Sequence, residues 1–208
     1  MMSGPELKIL VVGECGDGKS TLINYMKDST EPEAAVGRTP SGVTKHTALY
    51  RGMIAWKRVI YVDAPGVGDG AVHIGTLVDM LERVLGTGQI DGIVACSNIA
   101  KNRITLGARI VQMIIDKGIV SAHKWGGVIL CGTQADRCDN EDVQNFRTAM
   151  KDAFNREVIG GAVDKVAVVS KTHGFDELKR AIAGLPSQKL QYTRPSPEKL
   201  SAALLRVT

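Results

Sequence analysis

Residues 13–20 read Gly13-Glu14-Cys15-Gly16-Asp17-Gly18-Lys19-Ser20 and match G-x-x-x-x-G-K-[ST] at every position. Each part of that string has a physical task. The glycines let the backbone turn with its N–H groups inward, forming a nest for phosphate oxygens. A helix beginning at Lys19 would aim its positive end at the same point. Lys19 would reach the β- and γ-phosphates of a nucleoside triphosphate, and Ser20 would ligate Mg²⁺. With Thr21 these residues are the candidate phosphate-binding set. The string alone separates neither ATP from GTP nor hydrolysis from phosphoryl transfer to a substrate.

Three further strings narrow the chemistry. Val59-Ile60-Tyr61-Val62-Asp63-Ala64-Pro65-Gly66 is an apolar run ending in D-x-x-G. There Asp63 can hold Mg²⁺ through water, and the Gly66 N–H can meet the γ-phosphate. Thr133-Gln134-Ala135-Asp136 follows the apolar run 128–131 and resembles the [NT]-[KQ]-x-D motif of GTPases. A carboxylate at Asp136 accepts from guanine's ring N–H and exocyclic amine. Adenine has an acceptor in place of that ring N–H, so a well-placed Asp136 rejects it. Val168-Val169-Ser170-Lys171 resembles the final [SC]-[AS]-K motif, whose backbone meets the guanine oxygen. A Mg²⁺-ligating threonine belongs between the first helix and the second strand. Thr39, Thr44 and Thr47 compete, and Thr44, just before the strand, is the choice. The segment holding it would be ordered by the γ-phosphate.

These residues need a scaffold that brings strand ends together. Apolar runs predict strands over Leu7–Val12, Thr44–Tyr50, Arg58–Val62, Ile93–Cys96, Gly127–Cys131 and Val166–Val169. A turn is expected near Arg51-Gly52. Helical periods fall at Lys19–Met26, Thr76–Leu85, Leu106–Ile115, Val143–Phe154 and Phe175–Ala183, and Lys27–Gly42 reads as a loop. Such alternation implies an α/β, three-layer fold, a mainly parallel sheet with helices on both faces. Residues 1–185 form the expected GTP-binding domain. Residues 186–208 form a tail or short helical extension, in which Leu200 and Leu204 would share a face.

Composition excludes several classes. At 208 residues, 44% hydrophobic and 23% charged, the chain suits one soluble domain. A net charge of +4 and 4% aromatic residues argue against a nucleic-acid surface. No apolar stretch is long enough to span a membrane, and neither end carries a lipidation signal. Cys15, Cys96, Cys131 and Cys138 have no zinc spacing and read as reduced thiols of a cytoplasmic protein.

Taken together, 13–24, Gly42-Val43-Thr44-Lys45 and Asp63-Ala64-Pro65-Gly66-Val67 resemble the septin-related GTPases. Within that group the GTPases of immunity-associated proteins, the plant avirulence-induced relatives and the chloroplast import receptors are most similar. The vertebrate immunity-related GTPases share the same opening string and are a second possible relative. The resemblance implies a fourth-strand block with an arginine followed by x-Thr, which here is Asn102-Arg103-Ile104-Thr105. Lys101-Asn102 stand where that block has Leu-Gly. The resemblance also implies Mg²⁺ with GTP or GDP, and a GTP-dependent homodimer formed through the nucleotide face. Arg103 would then act on the partner's nucleotide, where an arginine can be worth about 10³–10⁵ in rate. Many GTPases follow D-x-x-G with a glutamine that orients water. Val67 stands there and has no donor or acceptor, so slow basal hydrolysis is expected. The catalytic candidates are Lys19, Thr44, Gly66 and Arg103, and the metal candidates Ser20, Thr44 and Asp63. The alternatives are a GTP-loaded scaffold with negligible turnover and an ATP-using P-loop enzyme. Asp136 and Lys171 argue against the second. A protein effector is expected, of a kind the sequence does not specify. His46 and His73 are expected as polar loop residues near the switches.

Overall fold

The computed structural model of the chain describes residues 6–36, 47–66, 76–77, 79–81, 90–101, 105–118 and 124–185. Six strands make one sheet: β1 Leu7–Val12, β2 Ala48–Ile54, β3 Lys57–Asp63, β4 Gly92–Asn98, β5 Val128–Thr133 and β6 Val166–Val168. Their spatial order is β2-β3-β1-β4-β5-β6. β2 runs antiparallel to β3, and every other pairing is parallel. The helices are α1 Lys19–Met26, α2 Thr105–Asp116, α3 Asn140–Glu157 and α4 Phe175–Ala183. Residues 76–77 and 79–81 are also helical. This is the expected α/β architecture. β1 has the expected bounds, β3, β4 and β5 run one or two residues past the carboxyl ends of their apolar runs, β2 starts at Ala48 and runs on to Ile54, and β6 ends one residue short, at Val168.

Strand alternation divides the core into two layers. Leu10, Ile93, Ala95, Val128 and Leu130 face one side, against Leu77, Leu81, α2 and α3. Ile9, Val11, Val94, Cys96, Ile129 and Cys131 face the other, against α1 and α4. Because both faces are covered, β1, β4 and β5 read as nearly continuous apolar runs rather than alternating ones. The four cysteines are free thiols, with Cys96 and Cys131 buried side by side in register on β4 and β5. The hydrogen bond with the adjacent Cys131 thiol and, after it, burial push the Cys96 thiol up, so it stays protonated.

The expected turn at Arg51-Gly52 is a correction. β2 continues through both residues to Ile54, and the chain reverses at Ala55 and Trp56. Both have positive φ, 45° and 65°, as a tight two-residue hairpin turn requires. Gly52 serves close approach instead. A Cβ there would lie 2.7 Å from the Met26 carbonyl oxygen and 2.9 Å from the Tyr61 ring. The end of α1 and a core tyrosine lie over the strand at this point.

One ion pair ties the short edge strand to its helices. The Arg147 guanidinium on α3 donates to Glu177 of α4 at 2.8 and 2.7 Å and to the Val166 carbonyl at 3.2 Å. The hydrogen bond from Arg147 holds the Glu177 carboxyl below the usual carboxylate range, against a smaller opposing effect of burial. The contribution is therefore present above the ordinary value near 4.5 and is lost as pH falls through the lowered one. Because Glu177 is partly solvated, Glu177→Gln should cost about 1 kcal/mol at pH 7. Denaturant melts should show that gap closing below about pH 4. A gap that persists at low pH would mean the loss is one of packing.

Candidate nucleotide site

Parallel pairing puts the carboxyl ends of β1, β3, β4, β5 and β6 along one edge, the place where such sheets bind ligands. Residues 13–18 leave β1 there and enter α1. Gly16 and Gly18 have φ of 83° and 76°, a region other residues rarely adopt, and these turns bring the loop over the helix start. Gly18 is the α1 N-cap and offers no side-chain oxygen. By contrast, Asp139 caps α3 by accepting the Asp142 N–H. The start of α1 therefore has no side-chain cap, and its positive end faces the loop.

Lys19 folds back beneath this loop and is almost fully buried. Its ammonium donates to the carbonyls of Gly13 at 3.2 Å and Glu14 at 2.8 Å. An ammonium has three donors, so one remains for phosphate. The Ser20 hydroxyl donates to Asp63 Oδ2 at 2.9 Å. Asp63 is 1% exposed, and its second oxygen, Oδ1, has no hydrogen-bond partner. Burial pushes the Asp63 carboxyl above the usual range, against the Ser20 hydrogen bond and the Lys19 charge. A buried carboxylate oxygen without a donor, beside a hydroxyl, suits a hard divalent cation. Mg²⁺ keeps several waters and takes few protein ligands, so Ser20 and Asp63 with phosphate fit it. The bound cation would supply charge neutralisation of the phosphates.

Gly66, three residues past Asp63, packs on the loop. A Cβ at Gly66 would stand 2.8 Å from Cys15 Cα, 2.9 Å from Cys15 N and 3.1 Å from Lys19 Nζ. Only a glycine lets the D-x-x-G backbone come this close to the phosphate loop.

The base-side motifs are fastened to the same loop. The buried Thr133 hydroxyl donates to the Asp17 carbonyl at 2.8 Å, with the Ser97 carbonyl a longer second acceptor at 3.4 Å. The Gln134 amide, on a residue of left-handed φ, donates to the Gly16 carbonyl at 3.2 Å. Asp136 sits exposed in the short 3-10 turn Ala135–Arg137. The Ala135 N–H donates to the Val169 carbonyl at 3.2 Å, which joins this turn to the loop holding Ser170 and Lys171. Ser170 Oγ accepts the Thr172 and His173 N–H groups, closing that loop on itself.

The structure therefore brings together Gly13 to Ser20, Asp63, Gly66, Thr133 and Gln134, with Asp136, Ser170 and Lys171 at the adjoining rim. Thr44, Arg103, Val67, His46 and His73 lie outside the described residues, as does Thr39. Of the three competing threonines, Thr47 is described. It precedes Ala48, the register partner of Asp63, and its Oγ1 is buried without a partner. Spacing missed two contacts: the Asp17 carboxylate accepts the Glu14 N–H at 2.8 Å, and the Thr133 hydroxyl is spent on the loop. No periodic pattern signals either one.

A six-stranded, mainly parallel sheet with this loop, an Asp63–Ser20 pair and a T-Q-x-D turn defines a GTP-binding G domain of the P-loop class. The chain belongs to the 50S ribosome-binding GTPase family, which it matches over residues 8–124. No curated protein sequence matches it. Among solved structures it is similar to the chloroplast translocon components atToc33 and psToc159, at 12% identity and a TM-score of 0.65, over 89% of this chain and 86% of that one. Toc33 from Arabidopsis thaliana, solved with GDP and Mg²⁺, gives 16% identity and a TM-score of 0.59, over 92% and 89%. The elongation factor SelB from Methanococcus maripaludis gives 16% and 0.60 over 90% of this chain. The chain spans 36% of that factor's length. At these identities the likeness carries the fold alone. Among the described residues, no helix is long and apolar enough to cross a membrane.

Proposed function

We propose that this G domain is a switch that binds GTP with Mg²⁺, hydrolyses it slowly to GDP, and pairs with a second copy while GTP is bound. One observation carries the reading. Lys19, Ser20, Asp63 and Gly66 converge on a loop that Thr133 and Gln134 tie directly to the Asp136 turn. Phosphate, metal and base recognition are thereby one connected unit. In this reading Lys19 and the nest from Gly13 to Thr21 bind the phosphates. Ser20, Thr44 and Asp63 hold the metal, directly or through water. Asp136 reads guanine, and Ser170 and Lys171 close over the ring. Residues 1–185 are the switch domain, and 186–208 an extension from it.

Slow turnover follows from Val67, which offers nothing to orient water. Arg103 is the proposed complement, five residues beyond Asn98 at the carboxyl edge of β4. The resemblance to the septin-related GTPases supports it, as do two reports on similar folds. Dimerisation is described as important for the GTPase activity of atToc33 and psToc159. A dimerisation-deficient Toc33 mutant carries alanine for an arginine.

The test is GTP turnover per molecule against protein concentration, from below to well above micromolar. The rate per molecule should climb about tenfold or more with wild type. Arg103→Ala should stay at the low-concentration rate throughout. A flat and very slow wild-type rate would favour the scaffold reading, for which Val67 also speaks. A flat but fast rate would mean water is positioned within one chain.

A further inference from the structure

Asp17 does something in this loop that nucleotide recognition does not call for. Its side chain is 2% exposed. Oδ2 accepts the Glu14 N–H at 2.8 Å and lies 3.2 Å from where a side chain at Gly13 would begin. Its own carbonyl accepts the Thr133 hydroxyl. Glu14 is consequently gripped from both sides, by Asp17 at its N–H and by Lys19 at its carbonyl. These two bonds fix the backbone of Glu14 within the loop. The arrangement has a second consequence. A carboxylate now sits inside the turn that must receive two or three phosphates. Like charges held on one loop repel, and burial leaves the repulsion poorly screened by salt.

We propose that Asp17 sets how long nucleotide stays: its hydrogen bond keeps the empty loop folded, and its charge speeds release of a guanine nucleoside di- or triphosphate. This deepens the GTP reading above and rests on it. The two effects separate chemically. Asparagine keeps an oxygen for the Glu14 N–H and removes the charge. Alanine removes both.

The experiment measures affinity and release of fluorescent GMP, GDP and GTP derivatives on the full chain at fixed Mg²⁺. Asp17→Asn should bind GDP about tenfold tighter or more, and release it correspondingly slower. The gain should rise from GMP to GDP to GTP, because repulsion scales with phosphate charge and loop shape does not. Asp17→Ala, without the hydrogen bond, should bind GDP more weakly than Asp17→Asn. If the asparagine variant melts below the assay temperature, Asp17→Ser carries the same expectation with an uncharged acceptor. Equal gains for all three nucleotides, or no gain, would overturn the proposal. Wild type that binds none of the three would sink the GTP reading as well. Wild type that binds GDP beside an unchanged asparagine variant would sink this proposal alone.

Discussion

Lys19→Ala is expected to lower GTP turnover about a thousandfold, measured with GTP in excess. Two losses add. The first is charge: one cation aimed at developing negative charge in a water-poor site is worth about 10²–10³ in rate. The second is loop shape, since the ammonium donates to both the Gly13 and Glu14 carbonyls. Arginine should not rescue it. The Lys19 head is buried between two carbonyls, and a planar, longer fork does not fit where a compact ammonium does. The loss should be greater for GTP than for GMP, because Lys19 acts on the outer phosphates. A thermal melt without nucleotide separates this from unfolding. A folded alanine variant that turns over within tenfold of wild type would remove Lys19 from the chemistry.

How much of this was visible in the sequence depends on whether the signal is local. The phosphate loop is contiguous, and its glycines have no cheap substitute at φ near 80°, so residues 13–20 could be read at once. The layers of the fold were legible for a similar reason. Strands covered on both faces become nearly continuous apolar runs, and Leu7–Val12, broken only by Lys8, is one. Gly52 misled because a glycine in a short apolar run suits a turn as well as a close approach. What decides is Met26 and Tyr61, distant in sequence. The true turn, Ala55-Trp56, carries none of the usual asparagine or glycine. Contacts that fasten one motif to another were equally hidden. The Thr133–Asp17 bond spans 116 residues, and only the parallel pairing of β1 with β4 and of β4 with β5 brings them together. The Asp17–Glu14 bond is local, yet nothing about an aspartate three residues on tells whether it caps, repels or faces solvent. Thr44 and Arg103, read from position and from resemblance, stand on the sequence alone.

The base-reading role of Asp136 predicts the second large effect. Asp136→Asn should weaken GTP binding about a hundredfold or more. The carboxylate accepts two hydrogen bonds from guanine, and bonds to a charged group are worth about 1.5–3 kcal/mol each. The amide retains one acceptor and presents a donor to the guanine amine, which is itself a donor. The same change should improve xanthosine triphosphate, whose base carries a carbonyl oxygen where guanine carries that amine. The variant should therefore reverse preference rather than merely weaken. Asp136 is exposed and makes no hydrogen bond among the described residues, so the fold should be unaffected. Competition of GTP, ATP and xanthosine triphosphate against a fluorescent guanine nucleotide reads the outcome. Gln134 and Thr133 hold this turn to the phosphate loop, so a shift in the base contact should leave phosphate binding in place. If Asp136→Asn binds GTP within threefold of wild type, guanine is read elsewhere. If it loses every nucleotide equally, the residue shapes the loop and does not read the base.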